Sequence, residues 1–192
     1  DCCCSTKPIT YQRKKVVPNA HGNILEIGIG SGLNLPFYEK SKINKFYGLD
    51  PSGELCDMAE KTASENDIDI NLIVNGAEEI KLPQNIIDTV VITYTLCTIP
   101  NPIDALKEVK RVMRSDAQIL FCEHGIAPDK NVLKWQNRIN PLWGKLFGGC
   151  NINRDIPYIL KNGGFKINSL EKMYLPSTPR IVGYNYWGQA SY

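Results

Sequence analysis

Two carboxylates and a glycine-rich turn are the residues of this sequence best suited to hold a small ligand. Gly28, Gly30 and Gly32 alternate with other residues, and Glu26 precedes them at the end of an apolar run. Glycine is needed where the backbone adopts positive φ, or approaches a ligand too closely for a Cβ atom. Asp50, about 20 residues beyond the turn, can accept hydrogen bonds from both hydroxyls of a ribose. The pattern therefore predicts a nucleoside ligand.

The spacing of the glycines separates two classes of nucleotide site. The dinucleotide fingerprint is G-x-G-x-x-G, and its third glycine would fall on Leu33 here. The observed run is G-x-G-x-G instead, so no pyrophosphate is implied. This argues against a nicotinamide-dependent oxidoreductase, as does the lack of an obvious hydride-transfer constellation. A glycine turn with a purely structural role in an unrelated α/β protein is the alternative.

The elements that position these residues alternate between strands and helices. Apolar runs predict strands, and amphipathic segments that begin after proline or a capping residue predict helices. The expected fold class is α/β: a Rossmann-like, doubly wound, seven-stranded and mostly parallel sheet with helices on both faces. Strands are predicted at 24–27, 45–50, 71–74, 88–94, 118–122, 165–171 and 181–187, and a turn at 114–116. Helices are predicted within 1–21, after the glycine turn, after Ser52, from Pro102 to about 113, at 131–147 as a kinked helix or a pair, and at 155–164.

Length and composition indicate one domain that acts on a small molecule. The 192 residues are enough for one α/β domain and few for two, so a single domain over 1–192 is expected. The net charge of +2 gives no basic field that would favour a nucleic acid partner. The seven cysteines include no C-x-x-C pair, so no metal or redox site is predicted and a reducing cytoplasm fits best. Those at positions 2–4 are interpreted as small hydrophobic side chains near a helix end.

The run from Glu26 to Gly32 resembles motif I of the class I S-adenosylmethionine-dependent methyltransferases. From about position 13 to 184 the chain also resembles the thiol methyltransferase group of the methyltransferase-like proteins. The resemblance implies S-adenosyl-L-methionine as cofactor, S-adenosyl-L-homocysteine as product, and a small-molecule acceptor for which a thiol is the first candidate. A quinone, lipid or other O-, N- or C-directed methyltransferase and a catalytically silent cofactor-binding domain are the alternatives. The residues that carry this narrower resemblance include Leu96-Cys97, Glu123-His124, Leu146-Phe147, Gly149-Cys150-Asn151 and Ile181-Val182-Gly183-Tyr184. Among them, Glu123-His124 together with Gly149-Cys150-Asn151 is the more specific signal.

The resemblance also implies which residues contact the cofactor. The loop after the third strand matches a family loop along the adenine edge, although many members have an aspartate where Gly76 stands here. A polar loop that caps a helix is the alternative for this segment. The implied cofactor-binding residues are Glu26, Gly28, Gly30, Gly32, Asn34, Asp50, Pro51, Ala77, Glu78 and Thr93.

A thiol acceptor needs help to ionise, because the thiolate is the nucleophile. His124 is the candidate base, since it follows the fifth strand and an imidazole pKa of about 6.5 suits proton transfer near neutrality. A histidine that fastens a neighbouring segment is the alternative. Tyr94, at the mouth of the fourth strand, is the second candidate catalytic residue: it either lines the acceptor pocket or accepts the proton through its neighbours. Cys97 and Cys150 are interpreted as small buried residues rather than nucleophiles.

Two segments outside the central sheet have predicted roles as covers. Residues 1–21 are expected to form an N-terminal cap near the mouth of the cofactor site. Residues 126–152 are expected to be an insertion that covers the substrate, with Trp135, Trp143 and Phe147 forming an apolar pocket. A helix that merely covers the sheet is the alternative for the second segment. Known members of the resembled group carry an N-terminal hydrophobic segment that holds them on a membrane, and this sequence shows none. A cytoplasmic location is expected, with peripheral membrane association as a further possibility.

Overall fold

A seven-stranded sheet forms the middle layer of the structure, a computed structural model that describes residues 5–192. The cysteines at positions 2–4 lie outside the described residues, so their predicted packing stays a prediction. The strands are β1 (Gly22–Ile27), β2 (Ile43–Asp50), β3 (Ile70–Val74), β4 (Ile87–Thr93), β5 (Met113–His124), β6 (Lys166–Tyr174) and β7 (Tyr184–Ser191). Their order is β3-β2-β1-β4-β5-β7-β6, with β7 antiparallel to β5 and β6 and the other pairs parallel. The predicted seven-stranded, mostly parallel sheet is confirmed.

The helices cover both faces of this sheet. They are α1 (Lys7–Val16), α2 (Gly53–Glu65), α3 (Pro102–Val112), α4 (Lys130–Leu146), α5 (Ile156–Asn162) and α6 (Arg180–Gly183). Successive side chains of a strand point to opposite faces, and Ile24 belongs to a buried cluster with residues of α1 and α2. Its neighbour Leu25 belongs to a second cluster with residues of α3 and α5. The sheet is therefore doubly wound, as predicted.

The segment after the glycine turn differs from the prediction, because it contains no α-helix. Short 3-10 turns stand there instead, at Leu35–Phe37 and Lys40–Lys42. Pro36 lies in the first turn and cannot donate a backbone hydrogen bond. Since β2 begins at Ile43, only positions 33–42 remain for the connection. The predicted helix is wrong because two separate 3-10 turns, the first containing Pro36, occupy this connection.

Two boundaries in the second half of the chain also differ. Residues 114–116, predicted as a turn, belong to β5, which follows α3 directly and pairs with β4 through an irregular register. Arg114 forms an ion pair with Asp88 at 2.6 Å across this irregularity. Residues 181–183, predicted as strand, belong to α6, and β7 then continues to Ser191. The Leu175 N–H donates to Gly183 O at 2.8 Å, which ties the end of α6 to the end of β6.

Helix α4 runs as one element through Pro141 rather than as a pair of helices. Its apolar residues Leu142 and Leu146 are exposed, so the helix stands at the rim of the molecule. Within residues 5–192, none of the helices is long and apolar enough to span a membrane.

Candidate active site

The glycine turn directly follows β1 and is held against β2 by backbone hydrogen bonds. The N–H groups of Gly28 and Ile29 donate to Leu49 O at 2.7 and 3.1 Å. Gly28 and Gly30 have φ values of +69° and +56°, a region that residues with a Cβ atom rarely adopt. A Cβ atom on Gly28 would lie 2.4 Å from Thr95 Oγ1, so a larger residue does not fit there without movement. The turn thus presents bare backbone at the carboxyl edge of the sheet.

Asp50 closes β2 beside this turn, and two backbone donors fix its carboxylate. Its Oδ2 accepts from Gly30 N at 3.0 Å, and its Oδ1 accepts from Ser52 N at 2.9 Å. Each oxygen of a carboxylate can accept a second hydrogen bond, so a ligand diol still finds two acceptors. An oriented carboxylate beside side-chain-free backbone fits the adenosine part of S-adenosylmethionine.

Glu26 lies beneath the turn in a buried polar network. Its Oε1 accepts from Asn34 Nδ2 at 2.8 Å, and its Oε2 accepts from the Tyr38 hydroxyl at 2.8 Å. Asn34 Nδ2 also donates to Thr93 Oγ1 at 2.9 Å. Burial raises the pKa of Glu26 to about 7, opposed by the Tyr38 hydroxyl, the charge of Arg13 and the Asn34 amide. These side chains already pair with one another and support the turn, and direct cofactor contacts by them stay a prediction.

Arg13 of α1 completes the network, and the sequence interpretation missed it. One guanidinium nitrogen donates to Asn34 Oδ1 and to Thr93 Oγ1, both at 2.7 Å. The residue is 5% exposed, and its guanidinium carbon lies 5.3 Å from the centre of the Tyr94 ring. Its Nε has no hydrogen-bond partner within residues 5–192. Nothing in the local sequence distinguishes Arg13 from its two exposed lysine neighbours, so no signal was available. Helix α1 nevertheless reaches the edge where the cap was expected.

The other predicted cofactor residues lie around the same edge. Gly32 has φ of +83° and packs against Leu35, whereas Pro51 is exposed at the end of β2. Ala77 is buried, and Glu78 Oε1 accepts from the Asn101 N–H at 3.1 Å, at the start of α3. Glu78 thus satisfies a helix-end donor, which agrees with the alternative of a polar loop that caps a helix. Its contact with a cofactor stays a prediction.

His124 ends β5 at this edge, and its ring is flanked by Tyr94 and Cys150. The Tyr94 ring is stacked at 6.3 Å between centres, and Cys150 Sγ lies 3.3 Å from His124 Nε2. Cys97 lies close by: its sulfur, the sulfur of Cys150 and the His124 nitrogen are all within 4.8 Å of one another. We call these three residues the Cys-His-Cys cluster. Cys97 is buried as predicted, but Cys150 is half-buried and contacts a titratable ring, so its interpretation as an inert small residue is incomplete.

Tyr94 adopts an unusual conformation at the edge of this cluster. Its φ of +55° is strained for a residue with an aromatic side chain, and such strain is often found at functional sites. The hydroxyl donates to Asn185 Oδ1 at 2.6 Å, which fixes the ring beside His124. Burial, followed by contact with Cys122, raises the pKa of Tyr94 well above its ordinary value. Tyr94 is therefore suited to shape a pocket as a neutral phenol.

The cluster favours negative charge on the Cys150 sulfur. A hydrogen bond from Cys97 lowers the pKa of the Cys150 thiol; burial opposes this, and His124 and Trp143 add to it. The buried indole N–H of Trp143 makes no hydrogen bond of ordinary geometry within residues 5–192, yet it lies near enough to favour the thiolate. Burial lowers the pKa of His124, but Cys150 and the carboxylate of Glu123 outweigh it, so the net direction is upward.

The two loops that carry the sulfurs are joined to each other. The backbone N–H and the side-chain amide of Asn151 both donate to Cys97 O, at 2.8 and 3.1 Å. Arg154 donates to Leu96 O and, at 2.7 Å, to Ile99 O. The loop before α3 and the loop after α4 are thus held together from both sides of the cluster.

Helix α4 is attached to the same edge by one buried amide. Gln136 Nε2 donates to Gly125 O at 3.1 Å and to Ile152 O at 3.0 Å, and its Oε1 accepts from Ala127 N at 2.9 Å. These loops follow β5 and surround the cluster. The anchoring at the strand ends, rather than over a sheet face, agrees with the expected cover over 126–152, whose role stays a prediction.

Of the three aromatic residues predicted to form an apolar pocket, two lie together and the third does not join them. Trp143 and Phe147 stack with ring centres 4.0 Å apart, and Trp143 approaches Cys150. Trp135 is 56% exposed and does not line a pocket. The spacing of apolar residues in α4 does not show which face turns inward, because both faces of the helix carry an aromatic residue.

Comparisons with known proteins agree with this geometry. A family model described as "Methyltransferase domain" matches residues 25–121. Human thiol S-methyltransferase TMT1B is 28% identical over 190 residues, covering 93% of this chain and 77% of that protein. Phosphatidylethanolamine N-methyltransferase of Cereibacter sphaeroides is 32% identical over 114 residues, covering 58% of this chain and 55% of that protein. The crystal structure of a putative methyltransferase from Bacillus halodurans shares the fold with a TM-score of 0.77 at 12% identity, covering 94% of this chain and 97% of that one.

Proposed function

The chain belongs to the methyltransferase domain family, and on that premise we propose that it transfers a methyl group from S-adenosylmethionine to the sulfur of a small thiol. That it is an S-adenosylmethionine-dependent methyltransferase follows from the family. The contact between His124 and Cys150 at the carboxyl edge of the sheet carries the choice of acceptor. The similarity to a human thiol S-methyltransferase is its second support.

The cofactor is assigned to the glycine turn and the carboxylate beside it. Asp50 accepts from the ribose hydroxyls, and the bare backbone at Gly28 and Gly30 leaves space for the amino-acid part. Ala77 and Glu78 face the adenine. Glu26, Asn34 and Thr93 act mainly through the network that supports the turn. When bound, S-adenosylmethionine supplies an electrophilic methyl group on a sulfonium.

The chain contributes mostly positioning, because an in-line displacement needs little covalent chemistry from the protein. Holding the two reacting atoms about 3–3.5 Å apart and in line lowers the barrier by roughly 7–11 kcal/mol. Tyr94 lies beside His124 and Trp143 approaches Cys150, so these two aromatic rings border the cluster.

A thiol also has to ionise before it reacts. Its S–H bond breaks and the proton is released, and the sulfur lone pair then forms the new S–C bond as the donor C–S bond breaks. The Cys-His-Cys cluster is the group we assign to favouring the acceptor thiolate, because it places the His124 imidazole 3.3 Å from a thiol sulfur at this edge of the sheet. An apolar acceptor fits best beside the stacked pair Trp143 and Phe147.

Incubation with labelled S-adenosylmethionine and a panel of thiols, phenols, amines and quinones tests the proposal. We expect label in the thioether product of a small apolar thiol. His124→Gln should lower the thiol rate about 100-fold or more near neutral pH without changing cofactor affinity measured by calorimetry. Alkaline solution should restore part of this rate, because a thiol with a pKa of about 8.5 ionises there unaided.

His21→Gln is the matched control, because His21 is the chain's other histidine and is exposed at the amino-terminal end of the sheet. It should keep the wild-type rate. Turnover of amines or quinones but of no thiol would refute the acceptor class. Cofactor binding without turnover of any acceptor would favour a silent binding domain.

A further inference from the structure

We propose that Cys97, His124 and Cys150 bind a zinc ion, and that the acceptor thiol completes its coordination during the reaction. The proposal deepens the assignment of a thiol acceptor and rests on it. The sequence predicts no metal, since the three residues are separated along the chain and form no C-x-x-C pair. The fold brings them together at the carboxyl edge of the sheet.

The distances suit a tetrahedral ion. The three ligand atoms lie within 4.8 Å of one another, and the Cys150 sulfur is 3.3 Å from His124 Nε2. Zinc binds thiolate sulfur at about 2.3 Å and imidazole nitrogen at about 2.0–2.1 Å. Tetrahedral ligands at such lengths are roughly 3.5–3.8 Å apart, so the cluster needs only small side-chain adjustments. Two sulfurs and one imidazole are also a ligand set that zinc prefers.

The surroundings hold this ligand set in place before any ion arrives. Asn151 fixes the Cys150 loop to the backbone of Cys97, and Arg154 fixes the same loop to the carbonyl groups of Leu96 and Ile99. The indole N–H of Trp143 lies beside Cys150 without an ordinary hydrogen-bond partner within residues 5–192. Outer partners of this kind orient metal ligands and tune their charge.

Three protein ligands leave one position open, which is the arrangement of catalytic rather than structural zinc sites. His124 and Cys150 are half-buried rather than sealed, so a small molecule can reach that position. The acceptor enters as R–SH, its proton is released to solvent, and its sulfur binds zinc as a thiolate. The sulfur then forms a bond to the methyl carbon while the donor C–S bond breaks. The neutral thioether product is a weaker ligand and leaves.

Titration of the full chain with Co²⁺ tests the site directly, in a phosphine reductant that keeps the cysteines reduced. We expect one equivalent to bind with intense visible bands of a tetrahedral ion and sulfur-to-cobalt charge transfer. Cys150→Ser and His124→Gln should each weaken binding by more than about 100-fold, since loss of an outer partner alone costs 10- to 100-fold. Cys56→Ser, a buried cysteine in α2, is the matched control and should leave the titration unchanged. A variant with serine at positions 2–4 should also bind normally, which separates the cluster from the N-terminal cysteines.

Addition of a small apolar thiol without a methyl donor should then change the cobalt spectrum. Absence of stoichiometric Co²⁺ binding, or binding that survives Cys150→Ser and His124→Gln, overturns the proposal. A bound ion whose spectrum does not respond to thiols overturns its role in presenting the acceptor. Because the readout is spectroscopic, failure of this inference is distinct from failure of the proposed function. Thiol methylation that persists unchanged in chelator-treated, cobalt-free enzyme would refute the role of a metal ion and leave the assignment of a thiol acceptor intact.

Discussion

Replacement of Glu26 by glutamine should change how the stability of the protein depends on pH. Glu26 is buried and its pKa is raised to about 7 from an ordinary value of 4.5, chiefly by burial. Between these two values the folded protein holds a proton on Glu26 that the unfolded chain has released. The free energy of unfolding therefore falls as pH rises through this window, and stays lower above it.

The size of the effect follows from the shift. One pKa unit corresponds to 1.36 kcal/mol, so a change from 4.5 to about 7 amounts to about 3 kcal/mol. Glutamine keeps the acceptor for Asn34, and its amide can donate to the Tyr38 oxygen in place of accepting from it. Glu26→Gln should thus preserve the network while removing the titration.

Urea denaturation of both proteins at pH values from 4.5 to 8 measures this. The difference in unfolding free energy, variant minus wild type, should rise by about 3 kcal/mol across the range. Taking the difference removes the contributions of other titrating groups. A difference that stays constant with pH, or that falls, would show that Glu26 is ionised in the fold and that Arg13 compensates its charge fully.

Two further substitutions test the binding edge. Gly28→Ala should lower the free energy of unfolding by about 1–3 kcal/mol in urea denaturation, because its Cβ atom would lie 2.4 Å from Thr95 Oγ1 at a φ of +69°. The double variant with Thr95→Ala should recover part of this loss. A Gly28→Ala protein of unchanged stability would contradict the close approach. Asp50→Ala should weaken S-adenosylmethionine binding in calorimetry at least about tenfold, since hydrogen bonds to a charged group are worth about 1.5–3 kcal/mol each. Asp69→Ala, which removes an exposed carboxylate before β3, is its control, and equal affinities of the two variants would exclude a ribose contact by Asp50.

Local patterns predicted most of the secondary structure. Each of these signals is contained in a few neighbouring residues: the β-branched run of β4, the serine before α2 and the proline at the start of α3. The structure has a strand or helix at each of these positions. The failures are also local in origin. The connection after the glycine turn looks amphipathic but forms 3-10 turns, the first of which contains Pro36. Residues 181–183 look like a strand but follow Pro179 into a helical turn.

Long-range pairing decided the parts of the site that the sequence interpretation missed. Arg13 is one of three consecutive basic residues, and only the packing of α1 against the sheet brings it to Asn34 and Thr93. Gln136 is the only fully buried residue of α4, and its burial follows from hydrogen bonds with four backbone groups on other segments of the chain.

The sequence by itself determined the sheet, the glycine turn and the acidic residues that close β1 and β2, because period, turn chemistry and glycine spacing are properties of neighbouring residues. Only the tertiary structure joined Cys97, His124 and Cys150, which stand on three separate segments. No local pattern encodes their meeting, since it depends on how β5 aligns with β4 and on the loops that Asn151 and Arg154 hold together. A cluster of this kind forms from contacts between segments, and those contacts become fixed only when the core of the sheet is packed.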